Sequence, residues 1–302
     1  MKAVTVYGPR DMRIEDVPMR PLKRDEVLVR VAWTGICATD LAIYTGESSF
    51  VKSGEIRYPC RVGHEWSGIV EEVGESVTKF KKGDRVITDN GVSCGECDNC
   101  KCGDRFGCTE IMSVGTINCW DGCYAEYMYM PECHTYPLAD SVSLEEAALA
   151  EPLSIALGAV KKYEIRPDTT VAVIGTGSIA LGAAALASVK GAKQVIVIGR
   201  KDFKLEAALK RGATHVVNST KENAEERLRE ITAGKGADFV IESSGGPKTV
   251  EEAMRIASKR GTVALLAFYE RTLDAFPIDT LVSKELTVKG VMGEFGLVRE
   301  AA

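Results

Sequence analysis

Apolar and polar positions alternate in two different ways along the chain. In the first half, the segments 27–32, 67–73 and 84–88 are short, rich in valine and isoleucine, and separated by glycines such as Gly74 and Gly83. Short runs of β-branched residues between turn glycines are typical of β-strands. We therefore predict a small, partly open β-barrel in this half.

The second half follows a longer period. Candidates for buried strands occur at 170–175, 194–198, 215–217, 239–242 and 263–267. Segments with helical spacing separate them, at 202–211, 221–232 and 247–258. Strands that alternate with helices build a doubly wound parallel sheet. The predicted fold class is therefore α/β, with one domain at residues 1–155 and a second at 156–302.

One apolar run has two interpretations. Residues 171–189 carry no charged side chain, and a run of that length could in principle span a bilayer. The residues Gly-Thr-Gly-Ser at 175–178 divide it into a strand and a helix. We interpret the run as a buried strand–turn–helix unit.

Composition narrows the class of partner. The chain has 38 Lys and Arg against 43 Asp and Glu, a net charge of −5, and 45% hydrophobic residues. It has no long basic run to neutralise phosphates or lipid headgroups, so we expect neither nucleic acid nor membranes as partners. The N-terminal residues lack the apolar stretch of a signal peptide, which favours a cytoplasmic protein.

Four cysteines give the strongest chemical signal. Cys94, Cys97, Cys100 and Cys108 have spacings that allow one short loop to surround a single tetrahedral zinc. Four thiolates leave no open position, so this zinc is predicted to be structural. A disulfide scaffold is the alternative, but such scaffolds are typically short and secreted. A zinc-ribbon binding module is another, although the loop has no basic face.

A glycine-rich turn follows the strand at 170–175. Gly175 permits a tight turn, and Gly177 lets the N–H groups of Ser178 and Ile179 approach a pyrophosphate at a helix N-terminus. Ala180 takes the third position of the G-x-G-x-x-G/A pattern. Alone this pattern is weak, but its place at the start of alternating strands and helices favours a dinucleotide site.

The end of the next strand bears on the choice of dinucleotide. An NAD site usually has an acidic residue there, whereas this chain has Gly199, Arg200 and Lys201. Two cations can hold a 2′-phosphate, so NADP is favoured over NAD, with Lys204 as a further candidate contact. The alternative is an ordinary solvated pair of basic residues.

A second metal site is suggested by scattered residues. Cys37 lies in GICATD, His64 and Glu65 in VGHEWSG, and Glu151 in LAEPLS. Together they supply sulfur, nitrogen and oxygen ligands. Each could instead be an ordinary structural residue, and spacing alone does not bring them together.

These motifs, with DGCYAEY and VIGTGSIALG, resemble the zinc-dependent medium-chain alcohol and polyol dehydrogenases. The resemblance implies a GroES-like catalytic domain with a catalytic and a structural zinc, followed by a Rossmann domain. It implies that Cys37, His64 and Glu65 are catalytic-zinc ligands and that Glu151 is a ligand or a water-bridged carboxylate. Thr39 would start the proton relay. Glu151 replaces the cysteine of ethanol-type members, so the sorbitol and threonine dehydrogenase branch is the better match.

The implied reaction is hydride transfer between a secondary alcohol of a polyol, sugar or cyclitol and NAD(P), by a homo-oligomer. Ala42 stands where many such enzymes have a histidine, so the proton would leave through water or the ribose. An NADPH-dependent aldehyde or ketone reductase and an inactive zinc-binding scaffold stay open as alternatives. The sequence stops at Ala302, where the family continues, so we expect the segment that returns to the catalytic domain to be missing.

Overall fold

The computed structural model describes residues 1–273, 276–293 and 295–302. The chain forms two compact units, one of Met1–Ser154 together with residues 295–302, and one of Ile155–Gly293. Residues 295–302 therefore differ from the prediction, which assigned them to the second domain. The buried side chains of Leu297 and Val298 explain the difference, since Val298 packs with Ile87 and Leu138 of the first unit.

The strands of both units are as follows: β1 (Lys2–Gly8), β2 (Asp11–Asp16), β3 (Glu26–Thr34), β4 (Cys60–Arg61), β5 (Trp66–Val73), β6 (Arg85–Thr88), β7 (Gly91–Val92), β8 (Met112–Ser113), β9 (Tyr127–Pro131), β10 (Thr135–Pro137), β11 (Thr170–Ile174), β12 (Gln194–Gly199), β13 (His215–Asn218), β14 (Ala237–Glu242), β15 (Ala257–Leu265) and β16 (Thr287–Gly290).

The α-helices are as follows: α1 (Ala38–Thr45), α2 (Ser49–Ser53), α3 (Asp98–Lys101), α4 (Leu144–Ala147), α5 (Ala150–Val160), α6 (Ser178–Val189), α7 (Asp202–Leu209), α8 (Ala224–Ile231), α9 (Thr249–Ile256), α10 (Ile278–Ser283) and α11 (Leu297–Ala301). Short 3₁₀ turns lie at Ile117–Cys119 and Glu132–His134.

Antiparallel strands form the first unit. A five-stranded sheet has the order β10-β6-β5-β3-β9, and a three-stranded sheet has the order β2-β1-β4. Inward-facing residues of the larger sheet, including Val27, Val29 and Val70, pack in one buried cluster. The predicted strands at 27–32, 67–73 and 84–88 correspond to β3, β5 and β6.

A six-stranded parallel sheet forms the second unit, with the order β13-β12-β11-β14-β15-β16. Alternate residues of β11 serve the two faces: Val171 and Val173 pack in one core cluster, and Ala172 and Ile174 in the other. Apolar packing on both faces is the doubly wound arrangement. The predicted α/β class is confirmed.

The uncharged run at 171–189 contains most of β11 and the whole of α6, as predicted. Within the residues that the structure describes, no helix is long and apolar enough to cross a membrane.

Candidate functional site

The first turn of α1 positions the predicted thiol ligand. Cys37 immediately precedes the helix with an extended backbone (φ −84°, ψ 152°). Its N–H donates to Oδ2 of Asp40 at 3.0 Å, so the acidic residue of the first turn ties down the start of the helix. Thr39 lies in the same turn, half-buried, two residues after Cys37.

Asp40 is the centre of a buried hydrogen-bond network. Its side chain is only 3% exposed; its Oδ1 accepts from the N–H of Gly63 at 3.0 Å, and its Oδ2 from the hydroxyl of Tyr124 at 2.8 Å. Burial alone would raise the pKa of Asp40, but the neighbouring His64, and then the hydrogen bonds from Tyr124 and Cys37, lower it below the usual value. Asp40 is thus held as a carboxylate beneath the predicted metal ligands.

The same carboxylate orients His64. Nδ1 of His64 lies 3.5 Å from Oδ1 of Asp40. The contact turns Nδ1 toward a carboxylate and leaves Nε2 for a metal, an arrangement common around histidine ligands.

Cys37, His64 and Glu65 converge. Their ligand atoms all lie within 4.8 Å of one another, with Cys37 half-buried and the other two buried. Thiol, imidazole and carboxylate are all donors to Zn²⁺. Cys37 is 27 positions before His64, and Glu65 directly follows His64. These three residues from two separate motifs therefore fit a single zinc ion.

The electrostatics of this group also fit a cation. Burial and the nearby Glu151 carboxylate raise the pKa of Glu65 to about 7. Burial raises the pKa of Glu151 as well. Burial opposes protonation of His64, but the neighbouring Asp40 and Cys37 side chains outweigh that effect and raise its pKa well above the ordinary value. Burial makes the negative charges of these two carboxylates unfavourable, and a bound metal ion would stabilise them.

Glu151 lies beside this group. It is in the first turn of α5, and its Oε1 accepts from Nδ2 of Asn90 at 3.3 Å. Among the described residues, the group whose ligand atoms lie within 4.8 Å of one another consists of Cys37, His64 and Glu65 and does not include Glu151. Its influence on the pKa of Glu65 and His64 shows that it is near them, which suits a carboxylate at the edge of a metal site.

The four-cysteine loop also converges. The sulfur atoms of Cys94, Cys97, Cys100 and Cys108 lie within 4.8 Å of one another. The N–H groups of Glu96 and Cys97 both point to Sγ of Cys94 at 3.4 Å. The N–H of Cys94 points to Sγ of Cys108 at 3.3 Å.

These N–H groups stabilise thiolates, the form that binds metal. Backbone hydrogen bonds, first that with Cys100, lower the pKa of Cys97 to about 6, and those from Glu96 and Cys97 lower that of Cys94. The exposed Cys102 contacts the carbonyl of Asn99 at 3.1 Å and is outside the converging set. The loop therefore fits a four-sulfur zinc site.

In the second unit, the turn after β11 has the geometry of an anion cradle. Gly175 has φ +123°, and a Cβ there would lie 2.8 Å from Oγ of Ser243. A Cβ at Gly177 would meet nothing within 4 Å, so open space lies in front of the N-terminus of α6. The first turn of α6, which begins at Ser178 and Ile179, has no acidic residue and no side-chain cap. Its free N–H groups can bind a phosphate.

The basic residues predicted near a 2′-phosphate follow β12. Gly199 ends the strand, and a Cβ there would lie 2.4 Å from Cγ2 of Thr176. Arg200 and Lys201 are exposed, and neither forms an ion pair within residues 1–273, 276–293 and 295–302. Lys204 is half-buried in the first turn of α7.

A neighbouring carboxylate is already occupied. Asp202 accepts from Nδ2 of Asn218 at 2.7 Å and from Nζ of Lys221 at 2.8 Å. The cations at the end of β12 are therefore available to an external anion.

Sequence reasoning missed Asp40, Tyr124 and Asn90. Asp40 had a usable signal, since an acidic residue three positions after the start of a helix commonly bonds the preceding N–H group. Asn90 had none, because it and Glu151 are 61 positions apart.

Two protein-family models match the chain. The model described as the alcohol dehydrogenase GroES-like domain matches residues 23–140, and that described as zinc-binding dehydrogenase matches residues 178–300.

Individual proteins match over nearly the whole chain. Sorbitol dehydrogenase of Bacillus subtilis (strain 168) is 33% identical over 291 residues, which are 96% of this chain and 82% of that protein. A structure described as a zinc-binding dehydrogenase of Sinorhizobium meliloti 1021, bound to NADP, has a TM-score of 0.88 at 30% identity and covers 99% of this chain and 86% of its own. Galactitol-1-phosphate dehydrogenase of Escherichia coli has a TM-score of 0.87 at 28% identity, covering 100% and 87%.

Proposed function

The chain belongs to the zinc-dependent medium-chain alcohol and polyol dehydrogenases, and we propose that it transfers hydride between a secondary alcohol of a polyol, sugar or cyclitol and a nicotinamide dinucleotide. The substrate class follows the sorbitol and galactitol-1-phosphate dehydrogenases that it resembles. In the forward direction the alcohol becomes a ketone, the oxidised dinucleotide accepts the hydride, and one proton is released.

One observation carries the proposal. A thiol, an imidazole and a carboxylate, from Cys37, His64 and Glu65, bring their ligand atoms within 4.8 Å of one another. A closed structural site uses four protein ligands, whereas three ligands leave a position for a substrate oxygen. Glu151 stands at the edge of this set as a ligand or a water-bridged carboxylate.

We assign the following roles to the residues around the reacting carbon. When bound here, a zinc ion would supply Lewis-acid chemistry for the substrate oxygen in both directions of the reaction. Cys37, His64 and Glu65 hold the metal, and Asp40 fixes the ring of His64. Thr39 accepts the hydroxyl proton and passes it to water, because Ala42 offers no titratable group one helical turn later.

A second zinc is proposed at Cys94, Cys97, Cys100 and Cys108. Four converging sulfurs leave no position for a substrate, so this metal orders its loop and takes no part in hydride transfer. The proposal amounts to two zinc ions per chain, one catalytic and one structural.

NADP is the proposed dinucleotide. Its pyrophosphate would lie at the turn formed by Gly175, Gly177, Ser178 and Ile179. Its 2′-phosphate would be held by Arg200 and Lys201, with Lys204 one helical turn on. Gly199, at the end of the same strand, lets Thr176 of the turn pack closely against the backbone.

Cellular setting and assembly are further proposals. All ten cysteines are free, which suits a reducing cytoplasm. β16 lies at an end of the parallel sheet with its outer residues exposed, which suits pairing of two copies in a homo-oligomer.

The experiment that tests the function is a turnover assay. The zinc-loaded chain is supplied with a panel of polyols and cyclitols and with NADP or NAD, and the absorbance of the reduced nicotinamide is followed. We expect turnover in at least one polyol reaction, and its loss in Cys37→Ser with an unchanged circular dichroism spectrum. Cys133→Ser, which replaces an exposed cysteine outside both sets, is the control and should retain activity. Full activity of Cys37→Ser, or reduction of aldehydes without any polyol oxidation, would refute the proposal.

A further inference from the structure

Two cysteines outside both metal sets lie against each other in the first unit. Cys60 belongs to a buried cluster with Val6, Ile43 and others, and Cys119 packs against that cluster. The two thiols are close enough to shift each other's pKa: the contact raises that of Cys60 and lowers that of Cys119. Two cysteines that pack in one cluster in this way are candidates for a disulfide.

The backbone holds the two cysteines side by side. Cys60 lies in β4, where it pairs with Val6 of β1. The segments that follow the two cysteines are hydrogen-bonded to each other. The N–H of Gly122 donates to the carbonyl of Arg61 at 3.2 Å, and the N–H of Cys123 donates to the carbonyl of Gly63 at 2.9 Å. These backbone hydrogen bonds hold the segment after Cys60 beside the segment after Cys119.

The turn that carries Cys119 has an unusual backbone. Asn118 and Cys119 have φ values of 50° and 44°, in the left-handed region that non-glycine residues rarely adopt. Nδ2 of Asn118 donates to the carbonyl of Ile111 at 2.9 Å, and the N–H of Asn118 donates to the carbonyl of Glu55 at 2.9 Å. Such a conformation persists only where the surroundings fix it, and it often marks a functional position.

Cys119 is the thiol that a small oxidant can reach. Cys60 is 4% exposed, whereas Cys119 is half-buried and lines a cavity of about 180 Å³ together with Arg61 and Trp120. The neighbouring Cys60 thiol is the main factor that lowers the pKa of Cys119, so Cys119 is the better nucleophile of the pair.

We propose that Cys60 and Cys119 form a reversible intramolecular disulfide when the protein meets a peroxide. The thiolate of Cys119 attacks one peroxide oxygen, breaks the O–O bond and becomes a sulfenic acid, and the other oxygen leaves as water after taking up a proton. The thiol of Cys60 then attacks the sulfenic sulfur, the S–S bond forms, and a second water leaves. Two thiols and one hydrogen peroxide thus give one disulfide and two waters.

The cross-link would have a defined place in the unit. It joins the segment that leads through Val62 and Gly63 to His64 with the segment that leads to Tyr124, whose hydroxyl bonds Asp40. The inference stands on these contacts alone, so it can fail while the proposed enzyme activity holds, and the reverse is also true.

The test is a mapping of the cross-link in the zinc-loaded full chain. The protein is treated with hydrogen peroxide, free thiols are alkylated, and the chain is cut after Arg61, Glu110 and Trp120. The chain is also cut after Arg57. Cys60 then lies on the peptide of residues 58–61 and Cys119 on that of residues 111–120, and neither peptide contains another cysteine. We expect mass spectrometry to find these two peptides joined, and dithiothreitol to separate them.

Variants check the assignment. Cys60→Ser and Cys119→Ser should each abolish the joined peptide, and Cys133→Ser should leave it unchanged. Separate alkylation of Cys60 and Cys119 in the peroxide-treated natural chain would overturn the inference, as would a link from Cys119 to another cysteine. This result comes from the unaltered protein, so it does not depend on the folding of any variant.

Discussion

At the scale of single residues, Asp40 links the fold of the first unit to its predicted metal chemistry. One carboxylate bonds the N–H groups of Cys37 and Gly63 and the hydroxyl of Tyr124, and it faces Nδ1 of His64. These contacts fix two proposed ligands from segments that are far apart in the sequence. Partners of this kind commonly set the affinity of a metal site.

We predict that Asp40→Asn weakens zinc binding at the Cys37 site by about 10 to 100 fold, as loss of a partner behind a histidine ligand typically does. Competition with a chromophoric chelator measures the affinity. Asp16→Asn changes an exposed carboxylate of β2 and is the matched control. Equal affinity in both variants would show that Asp40 does not orient His64.

Arg200 carries the proposed choice of dinucleotide. Charge-assisted hydrogen bonds contribute about 1.5–3 kcal/mol, so Arg200→Ala should raise the KM for NADP by about 10 to 100 fold and leave that for NAD nearly unchanged. Lys210→Ala removes an exposed cation that follows α7 and should alter neither constant. Steady-state kinetics with NADP and with NAD measures these KM values in both variants. An unchanged KM for NADP would remove Arg200 from the phosphate site.

At the scale of elements, the turn between β11 and α6 separates a glycine needed for folding from one needed for binding. Gly175 has a positive φ and a close neighbour in Ser243, whereas Gly177 has φ −80° and open space around its Cα. The same substitution at the two positions should therefore have opposite effects.

Gly175→Ala should lower the free energy of unfolding by about 1–3 kcal/mol because of backbone strain. Gly177→Ala should keep or slightly raise it, by up to about 1 kcal/mol, since alanine restricts the unfolded chain. Its Kd for the dinucleotide should nevertheless rise about tenfold, the effect of one lost hydrogen bond of about 1.4 kcal/mol. Urea unfolding and calorimetric titration measure the two quantities. Unimpaired binding by Gly177→Ala would contradict a phosphate at this turn.

The elements also show what the sequence predicted and what it left out. The periodicity predicted β3, β5 and β6 and five strands of the parallel sheet, because buried strands of that kind are continuous apolar runs. It named no other strand of the first unit and not β16. Among the strands it left out, β2 and β16 have side chains that are largely exposed. Both lie at the ends of their sheets, where burial imposes no apolar pattern.

The sites divide in a similar way. The cysteines at 94–108 could be predicted as one set because their ligands are local, and the turn at Gly175 because its pattern is local. That Cys37 lies near His64 and Glu65 could be predicted only from the family resemblance, because contacts between distant parts of a sequence leave no pattern in its spacing. The family assignment is confirmed, and the residue roles stay predictions.

At the scale of the whole molecule, the two units should respond to different ligands. Both proposed metal sites lie within Met1–Ser154, and the proposed dinucleotide turn lies within Ile155–Gly293. A ligand that binds only the folded form stabilises the unit that binds it.

Differential scanning calorimetry should resolve this difference. A strong zinc chelator should lower the transition of the first unit. NADP at about 100 times its Kd contributes about 2.7 kcal/mol, and it should raise the transition of the second unit by about 5–10 °C. Each ligand acts as the control for the other. A chelator that destabilised only the unit of Ile155–Gly293 would contradict the assignment.

The most direct test of the central claim is a crystal structure of the zinc-loaded chain, with anomalous diffraction recorded on both sides of the zinc absorption edge. The account predicts two anomalous peaks per chain, one among the sulfurs of Cys94, Cys97, Cys100 and Cys108 and one bound by Cys37, His64 and Glu65. A single peak at the four cysteines, with the other three residues turned away from one another, would contradict it.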